Sequence, residues 1–189
     1  GAARLGDRRG VLRLIGGASR TNSARWSDLT QVIGDDVAAQ ALRNYRVKWM
    51  AALNFEQEIL DGIGVFGRLS WNDGRSQNWM FTEMDWAVSG GISASGQRWG
   101  RNGDTLALGT NLGGISATHR QFLADGGIGF ITGDGRLRYR PEWITETYYD
   151  MRLGPGIHGS VGYQLLVNPA YNADRGPVSV FAMRLRAAF

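Results

Sequence analysis

The stretch that most constrains this chain is residues 178–189, VSVFAMRLRAAF. Every second residue gives one series, Phe181, Met183, Leu185, Ala187 and Phe189, all apolar or small. The other series, Val180, Ala182, Arg184, Arg186 and Ala188, holds both arginines. A period of two belongs to a β-strand with one greasy and one polar face. Two settings satisfy it: the last strand of a soluble sandwich, or the wall of a transmembrane β-barrel with lipid outside and water inside. In the second setting register is costly. A slip of one residue turns Arg184 and Arg186 into hydrocarbon, at about 2–4 kcal/mol each near the midplane.

The same alternation recurs upstream. Residues 45–59 set Tyr45, Val47, Trp49, Ala51, Leu53, Phe55 and Ile59 against Arg46, Lys48, Met50, Ala52, Asn54, Glu56 and Glu58, with only Gln57 out of place. That run is long beside the usual soluble strand of ~5–6 residues. Asp61-Gly62 reads as a tight turn. Residues 63–72 return with Arg68 on the polar side, where Phe66 breaks the rule. Further strands are predicted at 10–19, 79–94, 104–113, 142–153 and 157–168. Their polar sides carry Glu83 and Asp85, then Glu142, Glu146, Tyr148, Asp150 and Arg152, then Gln164. A short helix is predicted around 36–42, and a small hairpin with its tip at Gly133-Asp134-Gly135 inside the long loop 115–141.

The connections decide between the settings. Long loops and short turns alternate along the chain, and a barrel in a membrane sorts its short turns to one rim and its longer loops to the other. A soluble sandwich has no reason to sort loop length by parity. Aromatics also close the apolar faces, at Tyr45, Trp71, Trp143, Tyr163 and Phe189, as interfacial girdles would. The fold class expected is all-β, an antiparallel transmembrane β-barrel with about eight strands in this stretch.

Composition agrees where it bears on the question. A mean hydropathy of −0.25 does not exclude a membrane, because a barrel wall is only half apolar. No run approaches the ~18 apolar residues of a membrane helix. The 189 residues suit a single β-barrel domain over 1–189. With no cysteine, disulfide frameworks, thiolate metal sites and cysteine nucleophiles are out. A net charge of +4 without any Lys/Arg block argues against a nucleic-acid partner. The chain opens on Gly1 without a leader, so a signal peptide is expected to lie outside the given sequence.

Several ungapped blocks, in one order, resemble the carbohydrate-selective porin family (OprB-type). They are residues 54–78 (NFEQEILDGIGVFGRLSWNDGRSQN), 99–108 (WGRNGDTLAL), 119–135 (HRQFLADGGIGFITGDG), the strand at 142–149 and residues 168–189 (NPAYNADRGPVSVFAMRLRAAF). The resemblance covers the C-terminal half of a family member. It implies half of a sixteen-stranded outer-membrane barrel, hence the C-terminal portion of a larger barrel. It also implies a location in the bacterial outer membrane and passive diffusion of monosaccharides. The partners implied are small sugars, outer-membrane lipid and the insertion machinery that reads such C-terminal strands, with Phe189 as the assembly signal; a homo-oligomer fits as well. An open sheet would leave edges unpaired in lipid, so an alternative is a self-closed small barrel with a structural or anchoring role and no transport. A soluble sugar-binding β module is the third option.

On the porin reading the inward side chains are the working ones. The pore-lining and substrate set expected is Arg46, Lys48, Asn54, Glu56, Glu58, Arg68, Glu83, Asp85, Glu142, Glu146, Tyr148, Asp150, Arg152, Gln164, Arg184 and Arg186. Opposed charges across water set a field, their donors and acceptors replace a sugar's lost waters, and Tyr148 offers a ring face. Enzymatic readings fare worse. Glu56 with Glu58, or Glu142 with Glu146, has the look of a glycosidase pair, but same-face spacing follows from wall construction. His119 and His158 have no second ligand at metal spacing. Residues 126–133 lack the Lys and Ser/Thr of a phosphate loop. No enzyme, metal or cofactor is expected.

Overall fold

The computed structural model describes residues 8–78 and 83–188. The assembly signal expected at Phe189 and the start of the strand expected at 79–94 lie outside the described residues. Among the described residues eight strands form: β1 (Gly10–Ser23), β2 (Asn44–Leu60), β3 (Ile63–Asn72), β4 (Trp86–Ser95), β5 (Thr105–Gly114), β6 (Glu142–Gly154), β7 (Ile157–Val167) and β8 (Val178–Ala187). They make one sheet in the order β1-β2-β3-β4-β5-β6-β7-β8, every neighbouring pair antiparallel.

The register keeps the two faces distinct. Leu14, Leu53, Leu69, Val88, Leu112, Trp143 and Val167 share one cross-strand row. Arg13, Asn54, Arg68, Ser89 and Asn111 share the adjacent row, on the opposite face. The apolar face is bare: Leu14 is 80% exposed, Phe181 81% and Met183 88%. Such a face belongs in hydrocarbon, with aromatics toward its margins. Trp71 pairs with Trp86 near the long-loop end, where Tyr163 also packs on Phe181 at 5.0 Å, and Trp99 lies 6.1 Å from Tyr149 nearer the other.

β1 and β8 are the two edges of the sheet and do not pair with each other among the described residues. The self-closed barrel is therefore not the arrangement found. A closed eight-stranded barrel has an interior just filled by its own side chains, and here the polar face must also house folded loops.

Loop length follows parity. Asp61-Gly62, 96–104 and Pro155-Gly156 turn at one rim; 24–43, 73–85, 115–141 and 168–177 connect at the other. Gly62 sits at φ 72, the left-handed backbone that an Asp-Gly hairpin requires. Three expectations need correction. β1 runs on to Ser23 because it stays paired with β2 as far as Asn44. β4 begins only at Trp86, so Glu83 and Asp85 precede it. No hairpin forms at 133–135; residues 125–138 carry no strand, and the regular structure of that connection is the helix α3 given below.

Among the described residues the long connections carry three short α-helices, α1 (Trp26–Leu29), α2 (Asp36–Ala41) and α3 (Ala117–Ala124). α2 lies where the sequence places a helix, with Asp35 accepting from the Ala38 N–H at 2.9 Å as its cap. Ser116 caps α3 by accepting from the His119 N–H at 3.2 Å. These connections build a hydrophobic core of Ala24, Trp26, Leu29, Ile115, Phe122, Leu123 and Tyr171. Trp26 of α1 stacks on His119 of α3, ring centroids 3.9 Å apart and planes 6° off parallel. The apolar burial of this chain thus lies in its loops, since the outer face of the sheet leaves its burial to lipid.

Candidate functional site

The polar face of the sheet and the loops laid on it form the site. Three groups of expected residues separate by what they touch. Those nearest the long-loop rim reach into the loops. Lys48 is buried on β2 and its ammonium donates to the Ser76 carbonyl at 3.1 Å and to the Asn78 side chain. Arg46 donates to the Ser23 carbonyl at 3.1 Å and lies 3.7 Å from the Asp28 carboxylate of α1. Glu142, at the start of β6, accepts from the Ala170 N–H at 2.8 Å. Because these side chains leave the sheet on its polar face, the loops they hold fold against that face at its rim.

Glu83 and Asp85 belong to this group, as parts of the loop core and not as wall residues. Glu83 is 4% exposed and accepts from the backbone N–H groups of Phe130 at 2.7 Å, Ile131 at 3.2 Å and Thr132 at 2.9 Å, and from the Thr132 hydroxyl. Asp85, 3% exposed, accepts from the Ser116 N–H at 2.7 Å and lies 3.6 Å from the His119 ring nitrogen. Burial works to raise its carboxyl; His119, the Ser116 N–H and Lys48 outweigh it, and the net shift is downward. Across the same core, burial pushes the Tyr171 hydroxyl well above its ordinary range, with Glu142 adding to the shift.

A second group lies lower on β1–β4. Arg13 pairs with Glu56 at 2.9 Å, and Arg68 donates to Asn54 at 2.6 Å. Glu58 accepts from the Gly62 N–H at 3.3 Å, tying it to the turn. A concavity of ≈ 660 Å³ opens over this part of the wall, lined by Asn54, Glu56, Glu58, Phe66, Arg68 and Ser93 among others. Arg13 lies outside the expected set. The alternation of residues 10–19 already places it on the polar side, and only its pairing with Glu56 was hidden.

The third group occupies β6–β8. Glu146, Tyr148, Asp150, Arg184 and Arg186 share a concavity of ≈ 450 Å³ with Thr105 and Ser160. Asp150 bonds the His158 ring at 2.7 Å. Arg152, His158 and Arg186 form one cross-strand row at the short-turn end. Gln164 stands opposite Glu146. Among the described residues Glu146, Gln164, Arg184 and Arg186 make no side-chain hydrogen bond or ion pair, which leaves their polar atoms facing water.

At the short-turn rim Asp104, 2% exposed, ties its own turn to β6. It accepts from the Tyr149 hydroxyl at 2.6 Å, the Arg101 guanidinium at 2.9 Å and the Arg152 N–H at 2.9 Å. The Tyr149 and Arg101 bonds hold its carboxyl down at about 2, and Arg101 is raised in return. Among the described residues no three His, Asp or Glu side chains are grouped to hold a metal. The arrangement can bind, orient and exclude by charge and shape.

A family model described as carbohydrate-selective porin, OprB family, matches residues 4–189. No curated protein matches the chain in sequence. Among solved structures, the high-pH structure of OprB from Pseudomonas putida aligns with a TM-score of 0.76 at 15% identity, over 100% of this chain and 46% of that one. The likeness is one of fold, and the chain spans less than half the length of that relative.

Proposed function

The chain belongs to the carbohydrate-selective porin, OprB family, and from that premise we propose that it forms part of the wall of an outer-membrane channel through which monosaccharides diffuse passively. The observation that carries this reading is a polar face running through the sheet, with both signs of charge, beneath loops held by Lys48, Arg46 and Glu142. A sugar crossing that space gives up waters, and Glu56, Arg68, Glu146 and Arg184 offer replacement donors and acceptors. The long-loop end selects by size; the wall below it keeps the path wet.

Residues 1–189 act as one β-barrel domain, the C-terminal portion of a larger barrel. Unpaired edges are expensive in hydrocarbon, so β1 and β8 need further strands. The lipid-facing surface takes outer-membrane lipid, and oligomerisation of barrels would use part of it. Phe189 serves as the signal read by the insertion machinery; Phe189→Asp should abolish insertion in a membrane-assembly assay, and normal insertion would remove that role.

The test of transport is planar-bilayer conductance of the complete barrel that contains this chain, under increasing D-glucose. Current steps that shrink as glucose rises are expected. Steps indifferent to glucose at any concentration would refute a sugar path.

A further inference from the structure

Among the described residues several apolar side chains interrupt the polar face, among them Ile15, Met50, Ile144, Val180 and Phe66. Phe66 projects from β3 onto the lumen face and remains 42% exposed there. Its cross-strand partner on β4 is Gly91, and Gly91's partner on β5 is Gly109. A Cβ on Gly91 would fall 2.5 Å from the Phe66 ring, and one on Gly109 would fall 3.6 Å from it. The ring therefore lies down along the wall across two strands, on backbone that only glycine leaves bare. Its outward side meets the water of the lumen.

The surroundings of the ring are polar and charge-balanced. Glu56 stands directly opposite Phe66 on β2 and is paired with Arg13 at 2.9 Å. In the next row Arg68 donates to Asn54 at 2.6 Å. The concavity of ≈ 660 Å³ that opens here includes Phe66 in its lining, within the ~300–1,000 Å³ of small-molecule sites. A flat apolar floor with hydrogen-bonding edges matches one kind of small molecule well. A pyranose presents axial C–H groups on its faces and hydroxyls around its rim. The electropositive C–H groups suit the electronegative face of an aromatic ring, and the hydroxyls suit paired carboxylate and guanidinium groups. Because the lining sets Arg9 and Arg68 against Glu56 and Glu58, no one sign of charge dominates, and the site favours a neutral sugar over a sugar acid or phosphate.

We propose that Phe66, laid on Gly91 and Gly109 and flanked by Glu56–Arg13 and Arg68–Asn54, is a stacking subsite for a neutral pyranose. It lies close to the Asp61-Gly62 turn, in the half of the lumen remote from the folded loops. It is a second station on the path, and it rests on the sugar-channel reading above. A ring covering wall glycines also has a packing role of its own, and leucine separates the two. Phe66→Leu keeps apolar bulk over Gly91 and Gly109 but removes the π-face; Phe66→Trp keeps the face.

The experiment is saturation-transfer difference NMR with D-glucose on the complete barrel that contains this chain, folded in deuterated detergent. A β-sheet spectrum and heat-modifiable migration check that each variant is folded. Wild type and Phe66→Trp should transfer saturation to the pyranose ring protons, and Phe66→Leu should bind roughly three- to tenfold more weakly. Equal transfer in folded Phe66→Leu and wild type would overturn the subsite. So would a wild type that transfers nothing. Glucose entry into liposomes carrying the complete wild-type barrel distinguishes the two levels: entry without a Phe66 effect removes the subsite alone, whereas no entry and no transfer removes the channel reading with it.

Discussion

Replacing Glu83 with alanine tests whether the loops over the lumen are held by a single buried carboxylate. Four donors converge on it: the N–H groups of Phe130, Ile131 and Thr132 and the Thr132 hydroxyl. Phe130 and Ile131 are 67% and 60% exposed, so their amides recover water and lose only the ordinary ~0.5–1.5 kcal/mol apiece. Thr132 is 3% exposed, and leaving its amide without a partner costs about 1–3 kcal/mol. Since the bonds share one acceptor they do not add fully, and the local loss comes to about 3 kcal/mol. Hydrogen exchange measures it directly. The Thr132 amide should exchange about 100-fold faster in Glu83→Ala, at 1.4 kcal/mol per tenfold, while amides of the β2–β3 ladder keep their protection. Glu83→Gln, retaining one acceptor oxygen, should fall between. If Thr132 exchange changed by less than about threefold in a folded Glu83→Ala, the carboxylate would not be what holds the loop.

Trp26→Ala removes a side chain 1% exposed that stacks on His119, and should weaken the loop core by about 3–5 kcal/mol; limited proteolysis should then cut within 24–43 and 115–141 while the β spectrum in detergent is retained. The Asp104 tie should fail in acid. Its carboxyl is held at about 2 against an ordinary 3.8, so the released turn binds more protons between those values; the tie is complete above the ordinary value and is lost as pH falls toward the depressed one. The Arg152 amide shift, which reads the Asp104 bond, should titrate accordingly, and in Asp104→Asn it should not. Arg184→Glu and Arg186→Glu together should move the reversal potential of the channel in a salt gradient toward cation preference, with little change in folding, since neither arginine has a partner among the described residues.

How much was legible in the sequence depends on how far apart the deciding contacts lie. A strand's side chains alternate by a rule two residues long, so Tyr45, Val47 and Trp49 on one side and Arg46 and Lys48 on the other could be assigned without any neighbour in view. The same rule placed Arg184 and Arg186 inward and returned β3 at Ile63–Asn72 with its bounds intact. It failed at Glu83 and Asp85, where alternation continued by chance into a segment that is not strand. It was also silent on Phe66: it marked the exception but could not say that Gly91 and Gly109, on two other strands, lie beneath the ring.

The loops obey no period at all. Lys48 meets Ser76, Glu83 meets Thr132, and Trp26 meets His119, each pairing set by where the sheet delivers the ends of different connections. Sequence alone therefore determined that this is a lipid-facing β wall with a polar interior, because hydrophobic period and loop parity are local properties of the chain. Only the tertiary structure decided that the long connections share a core and fold against the polar face at its rim. Those contacts exist only after the register of eight strands has brought residues distant in the chain to the same rim.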